Sequence, residues 1–144
     1  VKKFSFPLGR VLNWRVLQAQ IEESKLERLY AELRAIHSSE AALERERIEA
    51  ERAVLAGASG ADLSALDSFR RFTVSEHTRI EKLRSDCAKR IAAQIQIVAA
   101  KRRDVKLLDR LREQRRAVWT RELHRELDAQ ADESFLARFT ASRS

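Results

Sequence analysis

The sequence predicts an all-α fold, a long antiparallel two-helix coiled-coil hairpin with the second arm longer than the first. Three observations carry this. After Pro7 and Gly9 the only helix breakers are Gly57 and Gly60, so residues 10–56 and 61–144 run without the residues that punctuate turns. Charged residues make up 35% and aromatics 6%, a mixture suited to long helices and too poor in rings for a thick globular core. Apolar residues of the first stretch recur at heptad spacing. At 144 residues the prior is a single domain, with arm one at about 8–56, a turn at 57–61 and arm two at about 62–139.

Arm one carries a seam at positions 8, 12, 15, 19, 22, 26, 29, 33, 36, 40, 43, 47, 50 and 54. Ten of these fourteen are apolar, Leu8, Leu12, Ala19, Leu26, Leu29, Leu33, Ile36, Leu43, Ala50 and Val54, where composition alone would supply about six. Spacing near 3.5 residues points to a left-handed coiled coil. Arg15, Glu22, Glu40 and Arg47 interrupt the seam, either to set register or to snorkel from a loosely packed pair. In the turn, Gly57 is expected in the left-handed conformation and Asp62 as the cap of the second helix.

Arm two opens on Leu63, Leu66 and Phe69. Thr73-Val74-Ser75 then brings together three poor helix formers, so a kink or break is expected near 72–75, with Ser75 capping a fresh helix. From Ile80 the apolar positions are Leu83, Cys87, Ile91, Ile95, Val98, Val105, Leu108, Leu111 and Val118, a drifting seam with stutters. The end of the arm at Asp128-Ala129-Gln130-Ala131-Asp132-Glu133-Ser134 is weakly patterned and expected to fray.

With the turn centred near residue 58 or 59, residue 8 lies opposite about residue 109 and residue 29 opposite about 88. The segment beyond about residue 117 then has no partner helix, yet it carries Val118, Trp119, Leu123, Leu127, Phe135, Leu136 and Phe139. Such a stripe reads as a binding surface. The plainer reading folds it back through a bend in arm two. Trp14 is expected to pack near the open end and Tyr30 near the seam, leaving Trp119 as the aromatic interface candidate.

The charge is uneven. Residues 101–125 hold ten basic side chains, Arg112, Arg115 and Arg116 among them, against four acidic ones, whereas residues 11–56 hold seven basic and nine acidic. A solvated face is the ordinary fate of a charge run, but this asymmetry favours a negatively charged partner. No zinc finger, aromatic platform or other nucleic-acid module accompanies it, so nucleic acid is disfavoured as the partner. The candidate partner-binding residues are therefore Arg112, Arg115, Arg116, Trp119, Leu123 and Leu127. His37, His77, His124 and Cys87 are the only soft ligands, with His37 about one turn from His77, and no metal or cofactor site is expected. The lone Cys87 excludes an intramolecular disulfide and suits a reducing compartment. No phosphate loop, nucleophile elbow or HExxH motif occurs, and no catalytic residue is expected.

No apolar run reaches the roughly 18–20 residues that span a bilayer. The N-terminus has basic residues but no long apolar region, which argues against a secretory signal. The missing initiator Met suggests a processed or trimmed chain.

The opening Lys3-Phe4-Ser5-Phe6-Pro7-Leu8-Gly9-Arg10-Val11-Leu12, with Arg15 and Glu22, resembles the N-terminus of the FliJ family of flagellar export proteins. Leu107-Leu108-Asp109-Arg110-Leu111 through Trp119, Glu122, Glu126, Asp132 and Glu133 resembles that family's C-terminal arm. Residues 60–100 add little beyond length. The resemblance implies a cytoplasmic component of the flagellar type III export apparatus, peripheral to the inner face of the cell membrane. It implies an antiparallel coiled coil similar to a rotary ATPase stalk. The expected partners are the export ATPase hexamer, the export gate membrane protein and export chaperones. The alternatives are the stalk of a virulence-type secretion system, a nucleic-acid-binding coiled coil, and an unrelated cytoskeletal or adaptor coiled coil.

Overall fold

The computed structural model describes residues 2–57 and 59–143. It contains α1 (Gly9–Gly57) and α2 (Gly60–Arg143), which pack against each other as an all-α hairpin, with no strand among the described residues. Two compact units divide the chain: Gln20–Ala99, and Val1–Ala19 with Ala100–Ser144.

In the first unit the turn is built around Ser59. Its carbonyl accepts the amide of Leu63 at 3.1 Å, and its hydroxyl accepts the amide of Asp62 at 3.2 Å. The Asp62 carboxylate in turn accepts the Ser59 amide at 3.1 Å and the Ser59 hydroxyl at 2.9 Å. Ser59 is therefore the cap, and Asp62 closes a reciprocal capping box from three residues on. This corrects the expectation that Asp62 itself caps α2. The expected left-handed Gly57 is also corrected, since no described glycine has a positive φ. Ala58, within the expected turn, lies outside the described residues.

The core of this unit is Ile36, Ile80, Cys87 and Ile91, flanked by Leu26, Leu29, Leu33 and Leu43. Each large side chain withdrawn from water contributes about 1.5–3 kcal/mol. Cys87 is fully enclosed, its thiol 3.6 Å from the Leu29 carbonyl. That contact lies one residue from the 29-to-88 register expected from the turn.

All fourteen predicted seam positions of arm one, Leu8 just before α1 included, are buried or half-buried. The polar ones are engaged. Gln94 Nε2 donates to the Glu22 carbonyl at 2.9 Å and to its carboxylate at 2.6 Å. Glu40 pairs with Arg84 at 3.4 Å. Arg47 pairs along its own helix with Glu44 at 2.5 Å and Glu51 at 3.2 Å, and Glu51 also takes Arg70 from α2 at 3.4 Å. Arg90 reaches Glu32 across the helices.

On α2 the inward positions include Leu66, Thr73, Ile80, Arg84, Cys87, Ile91, Gln94 and Val98. Leu83 and Ile95, expected in the seam, are exposed. Polar Arg84 and Gln94 occupy the inward positions beside them. The helix runs without a break through 72–75. The Thr73 hydroxyl bonds back to the Phe69 carbonyl at 2.9 Å, which accommodates a buried threonine within a continuous helix and leaves no role for Ser75 as a cap. The C-terminal stretch is helical to Arg143, where fraying was expected.

In the other unit Leu12 and Ala19 are buried on α1, and Arg15 reaches Asp104 at 3.5 Å. Before α1, the Gly9 amide donates to the Phe6 carbonyl at 3.0 Å. Pro7 thus sits at the second position of a four-residue turn, where its fixed φ fits. That turn separates the helix from an extended segment at residues 2–6.

Candidate functional site

The candidate residues all lie on α2 within the unit that also contains the N-terminal segment. That segment is a strap over α2. Trp119 Nε1 donates to the Lys2 carbonyl at 2.8 Å, and the Phe4 and Trp119 rings meet at 5.8 Å with a 56° tilt. The Arg115 guanidinium lies 5.9 Å from the centre of the Phe6 ring, within cation–π range. Lys2, Trp119, Glu122, Leu123 and Glu126 line a shallow hollow where the strap meets the helix.

This corrects the expectation that Trp119 and Leu123 lack an intrachain partner. Both are half-buried. The helix-on-helix register counted residues 2–7 at about 1.5 Å each, but extended chain advances about 3.3 Å per residue. Five such residues, 2–6, reach about as far as eleven helical ones, which carries cover from about residue 109 to about residue 120. The findable signal was Phe4-x-Phe6 before Pro7, an alternating pair ahead of a residue that starts a turn. Leu127 lies beyond the strap and is exposed.

The three arginines differ in their surroundings. Arg112 pairs with Asp109 at 3.0 Å, one turn back. Arg115 is turned toward the strap. Arg116 is exposed with no ion pair among the described residues, beside a surface hollow shared with Glu113, Ala117, Thr120 and Arg121. Exposed guanidinium groups of this kind hold an anionic surface by charge and by forked hydrogen bonds.

The expectation that Trp14 packs at the open end is corrected: it is exposed, with the neighbouring Arg15 guanidinium 5.3 Å from its ring, whereas Tyr30, beside seam residue Leu29, is 39% exposed. His37 and His77 line one groove in the Gln20–Ala99 unit with Glu40, Glu44 and Arg47. There the Arg47 hydrogen bond holds the Glu44 carboxyl below its ordinary range. No group of three or more His, Cys, Asp or Glu among the described residues is placed to hold a metal ion. No helix among them is long and apolar enough to cross a membrane. No family model, curated protein or solved structure matches the chain.

Proposed function

We propose that this chain is a stalk-like component of the flagellar type III protein export apparatus. In this reading it binds the export ATPase ring through the basic stretch of α2 and links the ring to the export gate and to export chaperones, acting in the cytoplasm at the inner face of the membrane. The observation that supports it most is the meeting of the two stretches that carry the resemblance. Phe4 and Phe6 of the opening segment lie on Trp119 and Arg115 of the C-terminal arm. Residues distant in sequence thereby form one surface, aromatic at the strap and cationic at Arg112 and Arg116. The work is done by contacts and not by bond-making: a ligand that binds ring states unequally shifts their populations by that difference alone.

The test is binding of the chain to a purified export ATPase hexamer, with Arg112→Glu, Arg115→Glu and Arg116→Glu combined. Affinity is expected to fall at least tenfold while circular dichroism holds. Unchanged affinity with unchanged helicity overturns the assignment of the basic stretch.

A further inference from the structure

Beyond the strap, the C-terminal end of α2 presents an apolar face to solvent. Phe135, Leu136 and Phe139 are 67%, 58% and 47% exposed. The rings of Phe135 and Phe139 stack at 6.3 Å with a 17° interplanar angle, and the Arg143 guanidinium lies 4.9 Å from the centre of Phe139. Asp128, Asp132, Phe135 and Phe139 follow steps of four, three and four, so they share one side of the helix in heptad spacing.

The charges along this segment are ordered. Asp128, Asp132 and Glu133 precede the aromatic pair, and Arg138 and Arg143 accompany and follow it. Neither Asp132 nor Arg143 has an ion pair among the described residues. We propose that this face takes a second copy of the same segment in antiparallel orientation. With the two-fold axis beside Ala137, Phe135 of each copy faces Phe139 of the other. Asp132 of each then lies near Arg143 of the other, and the symmetry makes this pair twice. A parallel copy would set Asp128 and Asp132 against their own equivalents, which like-charge repulsion disfavours. Copies so placed face each other over residues 131–143, about 20 Å of helix, so the contact is small and the dimer weak. The pairing stands whatever partner the basic stretch takes.

Sedimentation equilibrium of the full chain over a wide concentration range tests this. A reversible monomer–dimer equilibrium is expected, weakened at least tenfold by combined Phe135→Ser and Phe139→Ser, with helicity unchanged because both side chains are exposed. Asp132→Arg alone and Arg143→Asp alone should each weaken the dimer severalfold, and the two together should restore it. Orientation is read with spin labels, since enclosed Cys87 resists labelling. Labels introduced through Ala137→Cys should lie within about 20 Å of each other, and labels introduced through Arg125→Cys more than about 30 Å apart. A chain that stays monomeric throughout gives the face to another occupant and overturns the proposal. So does a dimer indifferent to the Phe135 and Phe139 changes, or one with short distances at both labelled positions.

Discussion

Gln94 and Glu22 are joined twice across the helix pair, the amide of one donating to the backbone carbonyl and to the carboxylate of the other. Gln94 is buried in the seam of α2, where an apolar residue would pack equally well in many registers. A polar pair satisfied only by one alignment distinguishes that alignment from its neighbours. Truncating Gln94 removes both of these bonds, one of them to a carboxylate, while Glu22 keeps Lys25 at 3.1 Å. Gln94→Ala should therefore lower stability by about 1–3 kcal/mol in urea titrations. Gln94→Leu should leave stability nearer the wild type but broaden the distribution of spin-label distances across the pair.

The strap gives a second prediction. Phe4→Ala removes the ring against Trp119, an interaction of about 0.5–1.5 kcal/mol beyond area burial. In a Trp14→Phe background, Trp119 fluorescence should shift to the red and become more readily quenched by acrylamide. An unchanged spectrum would mean that the strap does not hold Trp119.

The capping box gives a third, with a pH dependence of defined sign. The Asp62 carboxyl is held below its ordinary range, chiefly by the Ser59 hydroxyl and then by the Ser59 amide. A carboxyl depressed by folding stabilises the fold above its unfolded value, and that contribution is lost as pH falls through the folded value. The stability difference between wild type and Asp62→Ala should thus be present at neutral pH, begin to fall near about pH 4 and be lost as the pH drops through the lower folded value. Ser59→Ala should destabilise by about 1 kcal/mol at neutral pH. Thermal melts across the acid range check both.

Cys87 reports on the opening of the pair. Its thiol is fully enclosed between the helices, so a thiol reagent reacts only when the helices separate locally. Labelling should be slow in buffer, fast in denaturant, and accelerated by Ile80→Ala, which removes a core side chain at a loss of about 2–5 kcal/mol.

The hairpin and the seam of α1 were legible because two glycines isolate the turn and leucines recur in strict heptads. At Arg15, Glu22 and Glu40 the pattern showed the interruption but not its cause, which lies in Asp104, Gln94 and Arg84 on the other helix. On α2 the apolar residues misled: following Leu83 and Ile95 led away from Arg84 and Gln94, because a seam position can be filled by a polar residue whose partner is distant in sequence. Thr73 drew the expectation of a break from its intrinsic propensity, which its hydroxyl offsets by bonding to the preceding turn. The candidate site was legible in its cations and in Trp119, but not in the strap, since helical arithmetic does not apply to extended chain.

In the proposed function the basic stretch of α2 serves an ATPase ring and not nucleic acid. Its most direct test is one titration of the chain against a purified export ATPase hexamer and against duplex DNA, each at low and physiological salt. Saturable ring binding that weakens with salt and falls with Arg112, Arg115 and Arg116 reversed is expected, with DNA binding weaker than ring binding at physiological salt. Tighter binding to DNA than to the ring under those conditions would contradict it.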